Sequence, residues 1–202
     1  MNMKAKEYYQ NIESKWKNEY PSSDEIEDVW NLYKEFGYKN PEQTLGNILD
    51  KVVWNKKKVL DYGCDKGLML DFICSKYSAL AGVGIDINKD GITQAQMKFP
   101  TYQFVSFNGM DIPFEDKSFD LVFVSAVIKH VRYEDRDHVY RELKRVADNL
   151  LFIEVDSKIK EEVFHQSWTF YHSHFEEEFS HYFKPVEVIH EAGDILGLYR
   201  CN

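Results

Sequence analysis

Val59-Leu60-Asp61-Tyr62-Gly63-Cys64-Asp65-Lys66-Gly67 decides the fold. An apolar run stops on an acid, passes two glycines, and gives way to a helical pattern in Leu68, Met69, Leu70, Phe72 and Ile73. Glycine at such a turn lets backbone N–H groups approach a ligand that a Cβ would hold away. At the carboxyl end of a strand in an open α/β sheet, that turn is where nucleotide-like ligands bind. Alone it is weak, since a Gly-x-x-x-Gly turn is more often just a tight strand–helix link.

Downstream of it the pattern alternates. Strands are predicted at 57–62, 81–86, 102–106, 119–125, 149–155, 185–190 and 194–200, with helices at 67–77, 89–98 and 134–147. Such alternation implies right-handed crossovers and a mostly parallel sheet covered on both faces. The last two strands are linked only by Glu191-Ala192-Gly193. A link of hairpin length makes them antiparallel to each other. The expected architecture is a three-layer α/β/α Rossmann-like sandwich, its seven-stranded sheet parallel except for the final strand.

Upstream, residues 4–20 are polar with spaced aromatics (Tyr8, Tyr9, Trp16, Tyr20) and end at Pro21, a helix stop. Ser23-Asp24-Glu25-Ile26 reads as a helix start, and that helix halts at Gly37; another begins near Pro41. The chain reads as one domain over 1–202. In it, 1–54 supply helices at the edge or mouth of the sheet, 55–156 form the binding core, and 157–202 carry a lid helix and the C-terminal hairpin.

The formal net charge of −9 leaves no basic field to neutralise phosphates, so nucleic acid is not an expected partner. Lys56-Lys57-Lys58 reads as a solvated run ahead of a strand. Cys64, Cys74 and Cys201 are odd in number and form no CxxC pair, which suits free thiols in a reducing compartment. No signal-peptide core and no membrane-length apolar run is present. The expectation is a cytoplasmic protein with no membrane partner and no metal.

More acids and apolar flanks stand at later strand ends. Val83-Gly84-Ile85-Asp86-Ile87-Asn88 ends a strand on Asp86, near the offset of about 20 residues at which an acid reaches ribose hydroxyls. A carboxylate suits a vicinal diol because it accepts two hydroxyl hydrogens at once. Gly109-Met110-Asp111-Ile112-Pro113-Phe114 offers Asp111 to an exocyclic amine, between apolar neighbours. Ser118-Phe119-Asp120-Leu121-Val122-Phe123-Val124-Ser125 is a buried strand that opens beside the first turn, with Asp120 read as structural. Neither a G-x-G-x-x-G run nor a lysine followed by Ser/Thr as in a Walker turn is present, so phosphate-loop readings fail on spacing.

Together these pieces resemble the class I S-adenosylmethionine-dependent methyltransferases, particularly small-molecule members. The pattern is D-x-G-C-x-x-G, an acid ending the second strand, D-x-P-F, S-F-D-x-V, and a helix ending on Arg145-Val146. The match is strong over about 57–156 and looser beyond. The resemblance implies methyl transfer from S-adenosylmethionine to a small acceptor whose reacting atom (O, N or C) is open. It implies that the turn from Gly63 through Cys64 to Gly67 lies against the methionine portion, that Asp61 helps hold the ammonium, and that Asp86 takes the ribose hydroxyls. Ile87 would pack on adenine, Asp111 would accept from its amine, Ile112 would cover the other ring face, and Ser125 would sit near the methionine portion. Where the family most often has glycine, this chain has Asp65, which is expected to point outward. Ala147-Asp148-Asn149 replaces the usual Gly-Gly turn before the fifth strand. The alternative is an S-adenosylmethionine-binding regulatory or complex subunit without transferase activity.

His130 lies just past the fourth strand, where it either takes a proton from the acceptor or caps the next helix through backbone bonds. Trp168, Tyr171, His172 and His174 read as a lid bordering the acceptor, ahead of a helix with acids in its first turn. The two histidines with a glutamate would otherwise make a metal face, a weak zinc pattern without a third ligand. Tyr8 and Tyr9 would close the site from the other side, although packing explains these aromatics nearly as well.

Overall fold

The computed structural model describes Tyr9 and residues 23–54, 57–155 and 175–201. Tyr8, Trp16, Tyr20, Trp168, Tyr171, His172 and His174, with the helix expected over 4–20, lie outside the described residues. The elements run α1 (Ile26–Glu35), α2 (Pro41–Leu49), β1 (Lys58–Tyr62), α3 (Leu68–Tyr77), β2 (Ala81–Asp86), α4 (Lys89–Lys98) and β3 (Gln103–Ser106). They continue with β4 (Phe119–Ser125), a 3-10 turn (Ile128–His130), α5 (Tyr133–Val146), β5 (Ala147–Val155), α6 (Phe175–Ser180), β6 (Lys184–Glu191) and β7 (Asp194–Arg200).

The seven strands order as β3-β2-β1-β4-β5-β7-β6. β1 through β5 pair in parallel, while β7 is antiparallel to both of its neighbours, β5 and β6. β7 is therefore the one strand of the sheet that runs against the rest, as the hairpin-length link requires. The topological switch falls at β1: the chain winds outward to β3, then returns to β4 on the other side. Crevices at such a switch, outside the carboxyl ends of the strands, are where ligands bind in open α/β sheets.

Local chemistry explains the element ends. α1 begins two to three residues past Ser23, because the Asp28 carboxylate collects the backbone N–H groups of Asp24 and Glu25, both at 3.0 Å. α2 starts on Pro41, with Asn40 accepting from the Gln43 N–H at its cap. α5 passes straight into β5 at Ala147, so the fifth strand starts two residues earlier than expected. Asp120 ties β4 to the start of β1, accepting from the Lys58 N–H (2.8 Å) and the Lys57 ammonium (3.1 Å).

Each sheet face carries its own core. One face packs Trp30, Leu45, Ile48, Leu70, Ile73 and Phe123 under α1, α2, α3 and α4. The other packs Tyr140, Leu143, Phe152, Phe175, Phe179 and Tyr199 under α5 and α6. Phe179 is the hub of that second core, with ring centroids 4.2 Å from Phe152, 5.1 Å from Tyr140 and 5.6 Å from Tyr199. Edge-on and tilted contacts of this kind add to the area they bury. No helix among the described residues is long and apolar enough to cross a membrane.

Candidate active site

The carboxyl ends of β1, β2 and β4 converge on a cavity of about 140 Å³. Tyr62, Gly63, Asp86, Ile87, Phe107 and Gly109 form one side of it, and Ser125, Ala126, Val127, His130 and Val131 the other, with Tyr9 at the mouth.

The turn after β1 forms its floor. Gly63 (φ +85°) and Gly67 (φ +79°) adopt the left-handed backbone that suits glycine. The Gly63 and Cys64 N–H groups both reach the Ile85 carbonyl, at 2.8 and 3.1 Å, which locks the turn onto β2. A Cβ at position 63 would stand 2.3 Å from Val127 Cγ2. The bare face of this glycine is thus already covered by the Val127 isopropyl group.

Asp86 is buried at the tip of β2 and faces the cavity. Its Oδ2 accepts from the Asp65 N–H (2.8 Å) and its Oδ1 from the Asn88 N–H (2.7 Å). The Ile87 backbone also stabilises this carboxylate, and with about four acceptor positions it keeps capacity for a hydroxyl donor. Burial pushes its pKa up to about 6, against the pull of those backbone donors. Asp61 is 2% exposed, and its Oδ2 has no hydrogen-bond partner among the described residues. Burial, and the charges of Asp86 and Asp65, push the Asp61 pKa well up. Three carboxylates around one turn favour a cationic occupant. An orphaned buried oxygen and a carboxylate facing the cavity with acceptor capacity fit the ammonium and ribose hydroxyls of S-adenosylmethionine.

Asp65 does not point outward. Its carboxylate accepts from the Asn88 side-chain amide at 2.9 Å, which folds it against the start of α4 and half-buries it. The neighbouring Lys66 reaches Asp24, at 2.6 Å.

The remaining sequence candidates fall in different places. Gly63, Asp86, Ile87, Ser125, His130 and Tyr9 come together around the cavity. Asp61, Cys64, Gly67 and Ile112 are buried but are not among the residues that line it. Asp111 stands outside, exposed, with Asn108 donating to its Oδ2 (2.7 Å) and His138 Nε2 3.0 Å from its Oδ1. Those partners hold its pKa below the usual carboxylate value. His130 is 7% exposed in the 3-10 turn, its N–H bonded to the Val127 carbonyl.

Tyr9 is buried over Gly109, and its hydroxyl donates to Asp135 Oδ2 at 3.1 Å. Six wall residues were not singled out from the sequence: Tyr62, Phe107, Gly109, Ala126, Val127 and Val131. Tyr62 donates to the Gly109 carbonyl (2.8 Å) and meets Phe107 edge-on at 5.3 Å, closing one wall. The strand-end position of Tyr62 beside Asp61 was the available signal. No group of three or more metal-ligating side chains occurs among the described residues.

Comparisons with known proteins agree with this geometry. The family described as a methyltransferase domain matches residues 60–149. A protein of Bacillus subtilis named as a candidate 23S rRNA (guanine-N(1)-)-methyltransferase is 37% identical over 67 residues, covering 32% of this chain and 24% of that protein. The fatty-acid O-methyltransferase of Mycolicibacterium smegmatis is 32% identical over 68 residues, covering 33% and 25%. The chain thus spans about a quarter of the length of these curated relatives. The crystal structure of PH0226 from Pyrococcus horikoshii superposes with a TM-score of 0.68 at 20% identity, covering 89% of this chain and 99% of that one. The domain match falls on the strand ends that build the cavity, so over residues 60–149 the chain is similar to methyltransferase domains.

Proposed function

We propose that the protein transfers a methyl group from S-adenosylmethionine to a small-molecule acceptor. The observation that carries this is Asp86: a buried carboxylate facing the same cavity as Gly63, with acceptor capacity to spare. In this reading Asp86 accepts from the two ribose hydroxyls, and Ile87 and Phe107 flank the base. The orphaned Asp61 oxygen offsets the ammonium charge from behind the turn, and Ser125 meets the methionine portion. The cofactor supplies a methyl carbon made electrophilic by its sulfonium, so the protein contributes alignment and exclusion of water. His130, at the cavity wall, takes the proton that the acceptor loses.

A small acceptor is favoured by the lining. No lysine or arginine is among the described residues that line the cavity, and the chain carries a formal charge of −9. Both argue against an extended polyanion, whose binding rests on phosphate neutralisation. The three cysteines are buried and unbridged, which suits a reducing cytoplasm. Tyr9 and the aromatic and histidine positions of 168–174 are the proposed acceptor contacts.

Titration calorimetry with S-adenosylhomocysteine, followed by turnover assays across amine, hydroxyl and carboxyl acceptors, tests this. Saturable binding with methylation of one acceptor class is expected. Binding without turnover on any acceptor would favour the regulatory-subunit reading, and absence of binding would remove both.

A further inference from the structure

Ser125 closes β4 and faces the cavity, and its Oγ lies 2.6 Å from the hydroxyl of Tyr33 on α1. Tyr33 packs edge-on against Tyr38, with centroids 5.1 Å apart and planes at 85°. Tyr38 in turn donates to Asp194 Oδ2 at 2.8 Å, at the head of β7. A cavity wall, a helix from before the sheet and the last strand of the chain are thus joined through four side chains. None of α1 is part of the sheet, and Tyr33 does not line the cavity.

A serine hydroxyl has one hydrogen to give and two acceptor positions, and it rotates until a partner fixes it. At 2.6 Å the contact with Tyr33 is at the short end for paired hydroxyls, so the rotor is held firmly. Burial, and the charges of Asp194, Glu154 and Asp61, push the Tyr33 pKa up. The group therefore stays a neutral phenol through the physiological range, able to give or receive one hydrogen bond. We propose that Tyr33 is a positioning residue: by holding Ser125 Oγ it orients the hydroxyl presented to the amino-acid tail of the cofactor. Affinity for that tail then depends on α1. The inference rests on the proposed function, in which Ser125 meets the methionine portion.

Two ligands separate positioning from a general structural role. S-adenosylhomocysteine carries the amino-acid tail, and adenosine shares its nucleoside without it. Tyr33→Phe is expected to weaken S-adenosylhomocysteine by about five- to tenfold, the size of one neutral hydrogen bond, and to leave adenosine unchanged. Ser125→Ala should give the same signature, and the double variant should be no worse than Ser125→Ala alone, since both changes remove one interaction. Equal loss for both ligands, no loss for either, or additive single effects would overturn the proposal. Should Tyr33→Phe not fold, Tyr38→Phe keeps Tyr33 and loosens its support; a smaller loss confined to S-adenosylhomocysteine is expected, and its absence overturns the proposal. A wild-type protein that binds neither ligand would sink the proposed function itself. Wild-type binding with indifferent variants removes only the role of Tyr33.

Discussion

Asp86 is where burial and chemistry compete. Its pKa of about 6 comes from desolvation that its backbone donors only partly offset. A diol needs the ionised form, so cofactor affinity should be level above pH 7 and fall about tenfold per unit below pH 6. Calorimetry with S-adenosylhomocysteine between pH 5 and 8 measures this; a flat profile would remove Asp86 from the diol. Asp86→Ala should cost about 1–3 kcal/mol of binding through lost hydrogen bonds. Val127 sets a second expectation. The 140 Å³ cavity is smaller than the roughly 300–1,000 Å³ of small-molecule sites. The Val127 isopropyl group occupies the space above Gly63. Val127→Ala should therefore tighten cofactor binding severalfold, whereas Gly63→Ala should weaken it and lower the melting temperature. The alanine must adopt a left-handed backbone that costs about 1–2 kcal/mol and must also displace Val127. Unchanged affinity in Val127→Ala would mean that the valine moves aside without cost.

At the scale of elements, the segment between β3 and β4 is clamped by α5 as well as by its own turns. Arg145 donates to the carbonyls of Ile112 (3.0 Å) and Phe114 (2.7 Å) and to the Asp116 carboxylate (2.9 Å). The Glu142 carboxylate takes two more of its hydrogens and also accepts from the Ile112 N–H. A lysine cannot reproduce this planar fork, so Arg145→Lys should cost about 1–3 kcal/mol in urea unfolding, with binding little changed. This clamp also bears on what the sequence could tell. The strand ends were legible because apolar runs stop abruptly on Asp61, Asp86 and Ser125, and side-chain periodicity is a local property. The surroundings of Asp111 were not. The His138 that meets it stands 27 positions away on α5, and no local pattern reports such a pairing. Tyr33 was hidden for a related reason. On an amphipathic helix an aromatic reads as packing, and its hydroxyl acquires meaning only once β4 lies beneath it.

For the molecule as a whole, the buried acids shape the dependence of stability on pH. Asp61, Asp86 and Glu154 all have folded-state pKa values raised first by burial. A carboxyl group with a raised folded value binds its proton more readily in the folded than in the unfolded state. Its penalty is absent below the unfolded pKa of about 4 and complete above the folded one. Asp111 and Glu142 act in the opposite sense, their values lowered by Asn108 and Arg145 respectively, so their stabilisation is lost below about pH 4. The free energy of unfolding without ligand should therefore rise as pH falls from 8 toward 5 and decline again below 4. Urea titrations across that range check it, and a monotonic fall from pH 8 would contradict it.

The placement of β7 has a consequence for biogenesis. β6 precedes β7 in the chain, yet β7 lies between it and β5. A ribosome therefore releases β6 with no neighbour to join, and the aromatic hub around Phe179 stays open on the side that Tyr199 will cover. β1 through β5 can assemble as they emerge, whereas the last third of the hydrogen-bonded layer must wait for residues 194–200 and then form in one step, as a hairpin sliding into place.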